Sequence, residues 1–319
     1  MSLIEYRAEE LPSRGLTYPE GTVFSLKGFD YGEIKDLNTT VLTLETKLKR
    51  FCEAVTLNTE LQKSNICYID YIYAHLGRVA STYGNDKLQF PIICPHCENS
   101  VTHTVLFSEL ELNDVSEYAD IMPLTIEIAG KEYSFNFLTL DKVIKWYRLN
   151  NDINLLETIT AIKEEHDKLE QEVNKITPDN PNEVIQAKWE EIHKQYTDLN
   201  GRMGNKRRMK AMKYKVYGNH ALLLAFMCSD IGEEDFDTFL NTVNKAEGET
   251  IEFLQFVEEV LGTGIKPVKI TCPHCSKIFM ASVEEVINDV YPFRTSPKDI
   301  ADRLRAKQKT AHTSESTEE

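Results

Sequence analysis

Residues 92–107 read IICPHCENSVTHTVLF, and residues 269–282 read KITCPHCSKIFMAS. The tetrapeptide Cys-Pro-His-Cys thus occurs at 94–97 and again at 272–275, in a chain of 319 residues with only seven cysteines. Both copies have a β-prone approach, the CPHC, one or two polar residues and then an apolar run. Three chemistries use such a pair: a redox-active dithiol, a disulfide framework, or two halves of a metal site. A reactive dithiol needs its first cysteine at a helix N-terminus, where the thiolate is stabilised. Here β-prone arms follow, and no βαβ pattern surrounds either copy. The chain opens MSLIEYRAEELPSRG, with acids in place of a basic n-region and no apolar h-region. No secretory signal is therefore expected, and a reducing compartment disfavours disulfides. Two C-x2-C pairs make the standard four-thiolate set of a structural zinc site.

The expected metal ligands are accordingly Cys94, Cys97, Cys272 and Cys275, with structural Zn2+ as the cofactor. Residues 98–271 lie between the pairs, far more than an ordinary ribbon carries. The ribbon is therefore expected to be split, closing a long helical insertion as a clasp. A competing geometry completes Cys94 and Cys97 with His103. His96 and His274, inside the knuckles, are expected to point away. Cys52, Cys67 and Cys228 fall among apolar residues and read as core thiols.

Around the two knuckles the pattern is mainly helical. A short strand is expected at 22–28. A helix should run from Asp36 through Leu44, Leu48 and Phe51 to Val55, and a second over 65–80, since apolar residues recur every three to four positions. LTIEIAGKEYSFNF (124–137) alternates and reads as a β-hairpin turning at Ala129-Gly130. Leu155, Ile159, Ile162, His166, Leu169, Val173 and Ile176 form a heptad seam. A second seam runs through Ile185, Trp189, Ile192, Tyr196, Leu199 and Met203. TPDNPN (177–182) separates them, so the two should form an antiparallel helical hairpin of roughly 30 Å per arm. His166 reads as a polar register-setting residue, and His193 has no partner pattern.

Residues 202–215 carry Arg202, Lys206, Arg207, Arg208, Lys210, Lys213 and Lys215, in a chain of net charge −15. Pairing with the protein's own acids, an acidic protein partner and nucleic acid all stay open; the overall charge disfavours nucleic acid. Helices are expected over 219–230 and 234–260, a short one near 283–290, and a disordered tail from 296. No apolar run is long enough for a membrane span. The usual nucleotide, hydrolase, metalloprotease and EF-hand motifs are absent, so no catalytic residue or cofactor-binding residue is assigned and a non-enzyme is expected.

The fold class expected is α+β: a mostly helical body with small β elements, a split four-cysteine zinc ribbon and an antiparallel helical hairpin. Six segments follow. They are an N-terminal docking segment with helices (1–87), the first knuckle and β-hairpin (88–140) and the helical hairpin with its basic end (141–215). Then come a helical segment (216–264), the second knuckle (265–295) and the tail (296–319).

The opening LPSRGLTYPEGTVFSLKGFDYGEIKDL (11–37) resembles the N-terminal signature of baseplate hub and tail-assembly proteins of contractile-tailed, T-even-type bacteriophages. Those chains open with LPS-x-G-x-x-YP, here Leu11, Pro12, Ser13, Gly15, Tyr18 and Pro19. A GE-x-K-x-L motif follows, here Gly32, Glu33, Lys35 and Leu37. Family members often also carry CPxC knuckles. The resemblance covers about the first 110 residues and reaches the second knuckle only loosely. It implies a non-enzymatic structural or assembly role in the viral tail baseplate hub, in the host cytoplasm during assembly or in the virion. The implied partners are other tail and baseplate proteins, with self-association through the hairpin as a further expectation. Two alternatives remain on the residues alone: a zinc-ribbon regulatory protein binding nucleic acid, and a thiol–disulfide oxidoreductase.

Overall fold

The computed structural model describes residues 3–30, 32–35, 43–82, 86–177, 182–262, 264–282 and 291–292. Helix predominates among the described residues, beside small antiparallel sheets, and the fold is α+β. The chain divides into two compact units, 1–119 with 263–319, and 120–262. The second is inserted in sequence between the two parts of the first. The boundary at 119/120 falls inside the segment 88–140 drawn from the sequence.

In the first unit, β1 (Leu3–Arg7) pairs with β2 (Val23–Lys27), and β2 with β3 (Val55–Leu57), all antiparallel. α1 (Leu44–Ala54) is capped by Thr43, whose hydroxyl accepts the Thr46 N–H, and it buries Leu44, Leu48 and Phe51. It stops at Ala54. Val55 turns extended because β3 completes the ladder on β2, which overrides the helical periodicity. The part of the expected helix at 36–42 lies outside the described residues. α2 (Tyr68–Thr82) begins three residues later than expected, although Ile66 before it is fully buried. Nearly every side chain from Ile69 to Ala80 is buried, as an all-round apolar helix requires.

β4 (Lys87–Ile93) and β5 (Ser100–Leu106) flank the first CPHC, in register from Lys87↔Leu106 to Ile93↔Ser100. β8 (Val268–Thr271) and β9 (Ile278–Ala281) flank the second. β10 (Tyr291–Pro292) pairs with β4. The helix expected near 283–290 and the tail lie outside the described residues.

In the second unit, β6 (Leu124–Ile128) and β7 (Lys131–Phe135) form the expected hairpin. Ala129 and Gly130 have φ of 53° and 80°, the left-handed pair of a two-residue type I′ turn. Tyr133 and Phe135 pack on Phe239, with ring centroids 5.1 and 6.1 Å apart. α3 (Leu140–Val173) has 34 residues, and α4 (Glu183–Arg202) lies antiparallel to it. α3 starts well before the heptad seam because its first half buries Leu140, Val143, Leu149 and Ile153, which follow no heptad. At the start of the seam Leu156 is buried while Leu155 is half-exposed. α4 buries none of its side chains fully.

α5 (Asn205–Tyr214), α6 (Gly218–Met227), α7 (Phe236–Val243) and α8 (Glu249–Gly262) follow. The single helix expected over 234–260 is thus two. The break falls at Asn244–Gly248, where Gly248 has φ 55°, a conformation that ends helices. No helix among the described residues is long and apolar enough to cross a membrane.

Candidate metal centre

Each CPHC forms a tight turn between two strands, and the two turns are built alike. The Cys94 N–H donates to the Asn99 carbonyl at 3.0 Å, and the Cys272 N–H to the Lys277 carbonyl at 2.9 Å. Going back, the Glu98 N–H donates to the Cys94 carbonyl at 2.8 Å and the Ser276 N–H to the Cys272 carbonyl at 2.9 Å. Glu98 and Ser276, each just after the second cysteine, have φ of 58° and 57°. Few side chains tolerate that backbone. Its occurrence at equivalent positions marks the two knuckles as one structural unit used twice.

These turns bring the four sulfurs together. Cys94 Sγ and Cys275 Sγ lie 3.8 Å apart, Cys97 Sγ and Cys272 Sγ 3.6 Å. All four fall within 4.8 Å of one another and could hold a metal ion. Cys94 and Cys272 are buried, while Cys97 and Cys275 are partly exposed. Both pairs belong to the first unit.

No pair is bonded: all seven cysteines are free, at separations well beyond the ~2.05 Å of a disulfide. Strands β5 and β9 follow the two knuckles, so neither pair sits at the helix N-terminus that a reactive dithiol uses.

Backbone donors favour thiolate at this site. The N–H of Asn99 is the main influence bringing the Cys97 thiol down to about 6, and the Asn99 side-chain amide adds to it at 3.5 Å. The N–H of Lys277 acts in the same sense on Cys275. There, burial and the neighbouring sulfurs of Cys272, Cys97 and Cys94 outweigh it and carry the thiol up to about 11. Four sulfurs so close cannot all ionise without a compensating cation, which is the electrostatic demand a metal ion meets.

The histidines behave differently. His96 and His274 are exposed and lie outside the sulfur cluster. His103 packs against the Phe90 ring at 5.8 Å, and burial lowers its pKa. It is not part of the cluster either, so the geometry with Cys94, Cys97 and His103 does not form. Of the other thiols, Cys67 is buried just before α2 and Cys228 is buried just after α6. Cys52 on α1 is half-exposed.

Two buried charged positions on α2 escaped the sequence reading. Asp70, 1% exposed, accepts the Ser13 N–H at 2.7 Å, the Ser13 hydroxyl at 2.5 Å and the Tyr18 hydroxyl at 2.6 Å. Burial pushes its pKa up to about 6, against the pull of those donors. Arg78, 2% exposed, donates to the Lys27 carbonyl at 2.6 Å and meets Glu33 at 2.8 Å, with its guanidinium 3.9 Å from the Phe29 ring centroid. So Ser13, Tyr18 and Glu33, which carry the sequence resemblance, hold their own segment to α2. Ser13 and Asp70 are sealed from solvent. The available signal was a lone acid and a lone arginine within the apolar run ICYIDYIYAHLGRVA (66–80).

The basic segment is partly neutralised. Arg207 pairs with Asp152 and Lys213 with Asp237, and Lys210 reaches Glu233 at 2.6 Å. Arg202, Lys206 and Lys215 have no acidic partner among the described residues.

The chain matches no family model, no curated protein and no solved structure.

Proposed function

We propose that this protein is a non-enzymatic structural or assembly component of a contractile-tailed phage baseplate hub, acting through protein–protein contacts and held by a structural zinc ion. The observation carrying the zinc reading is the sulfur geometry. Four thiolates about 2.3 Å from one tetrahedral zinc stand roughly 3.8 Å apart; two of the sulfur pairs are 3.6 and 3.8 Å apart and all four sulfurs lie within 4.8 Å. With four protein ligands no coordination position is left for substrate, so the ion's role is to tie the two distant knuckles together.

A contact role is supported by α5. Met209, Met212 and the following Val216 are 66, 52 and 69% exposed and recur at three- and four-residue spacing, as a helix-docking stripe does. Lys206, Lys213 and Lys215 flank it. The nucleic-acid alternative loses support from this segment, because Arg207, Lys210 and Lys213 spend their charge on the protein's own acids.

Pull-down from cells co-expressing tail proteins tests the reading. Wild type should recover a tail protein, and a Met209→Ser, Met212→Ser double variant should lose it with the melting temperature unchanged. Recovery of no tail protein by the folded wild type would reject the baseplate assignment.

A further inference from the structure

The helical hairpin contains a second cluster of metal-ligating groups, unrelated to the cysteines. His166 on α3 is 7% exposed. Its Nε2 lies 3.0 Å from Nδ1 of His193 on α4. Two nitrogens bound to one ion at about 2.0–2.1 Å stand roughly 3.0–3.4 Å apart, so the imidazoles already have the spacing of a shared metal.

The tautomer is set for it as well. His166 Nδ1 faces the Asp167 carboxylate at 3.3 Å, and Lys163 holds that carboxylate at 2.5 Å. An Nδ1–H donated to Asp167 leaves the lone pair on Nε2, directed at His193. This is the carboxylate–histidine–metal arrangement that orients ligands and raises their basicity. Glu170, one helical turn on, stands with His166 and Asp167, the ligand atoms of these three residues lying within 4.8 Å of one another.

The surroundings suit a bound ion. Trp189 stacks on His193 at 4.8 Å and Tyr196 on His166 at 5.5 Å, so each imidazole lies against an aromatic ring. His193 itself is exposed, which leaves an entry path and room for water ligands.

We propose that His166 and His193 together bind a divalent transition-metal ion of the class that favours imidazole, bridging the two arms of the hairpin. Asp167 acts as the orienting partner of His166, and water completes the coordination. The ion takes the place of the shared proton in the His166–His193 hydrogen bond, and that proton moves through solvent to Nε2 of His193, so both imidazoles bind as neutral ligands. In this state the ion fixes the register of α4 on α3.

Calorimetric titration of the full-length protein with Ni2+, after loading with one equivalent of zinc for the four cysteines, tests the site. Wild type should take up one Ni2+ per chain that His166→Gln and His193→Gln each abolish. Asp167→Asn should weaken that uptake about 10-fold without changing its stoichiometry. His193 is exposed, so His193→Gln keeps its helix content by circular dichroism, and its loss of Ni2+ then reports on ligation rather than folding. Ni2+ should raise the melting temperature of wild type and leave that of His193→Gln unmoved. Absence of Ni2+ uptake by wild type, or uptake unchanged in the folded His193→Gln variant, would overturn the proposal.

Discussion

The sulfurs of Cys94 and Cys275 lie 3.8 Å apart although 181 positions separate them in the chain. Closing so long a loop in the unfolded state is entropically costly, so a link across it stabilises the folded state strongly. In the chain-entropy picture a cross-link over more than 100 residues contributes about 5 kcal/mol. With the proposed zinc tying the two knuckles, Cys94→Ser and Cys272→Ser should each abolish zinc binding and destabilise the protein by roughly that amount. Metal analysis of protein purified without added metal, followed by chemical unfolding, checks this. Cys52→Ser should leave both quantities unchanged, since that thiol is remote from the cluster.

The Asp70 anchor has a pH signature. Its folded pKa of about 6 stands above the ordinary 3.8, so between these values the folded state binds more protons than the unfolded one. Stability from this group therefore rises as pH falls from about 6 to about 4, and is constant above 6. The full excursion is on the order of 3 kcal/mol. His75 acts in the opposite sense: burial lowers it from 6.5 to about 3, and its contribution is lost as pH falls below 6.5. Unfolding midpoints of wild type and Asp70→Asn across pH 4–7 separate the two. The difference between the proteins should change through pH 4–6 and be flat above; a difference independent of pH would refute the assignment.

Loss of a donor to that buried carboxylate should also be costly. Ser13→Ala and Tyr18→Phe should each destabilise by about 1–3 kcal/mol at pH 7, the range for leaving a buried charge short of a hydrogen bond. The loss should shrink below pH 6, where Asp70 is protonated. Chemical denaturation at pH 7 and pH 5 measures both effects.

Gly77 is held by close packing. A Cβ there would come 1.8 Å from the Tyr6 hydroxyl and 2.9 Å from the Phe107 ring. Gly77→Ala should cost about 1–3 kcal/mol, as overpacking does, and Tyr6→Phe in the same chain should recover part of it. A double-mutant cycle gives the coupling directly.

Ala129 occupies a left-handed position at the exposed β6–β7 turn. Asparagine is favoured in the first position of such a turn. Ala129→Asn should stabilise by about 0.5–1 kcal/mol, read as a raised melting temperature.

Local patterns made much of this molecule legible in advance. Alternation around each CPHC specified β4–β5 and β8–β9, and Ala129-Gly130 between alternating runs specified the β6–β7 hairpin. Heptad spacing specified the antiparallel pairing of α3 with α4. The residues also named the four cysteines, because x2 spacing, β-prone arms and repetition are chain-local features. They could not reveal the end of α1, where pairing with β2 draws Val55 into a strand.

What tertiary structure decided was partnership across long separations. Whether the two knuckles meet, whether His103 joins them, which donors satisfy Asp70 and which imidazole faces His166 depend on contacts between residues 27 to 181 positions apart. Residue types and spacing state what each side chain is able to bind. Only the packed chain determines which groups stand within about 3–4 Å, and at that range hydrogen bonding and metal ligation act.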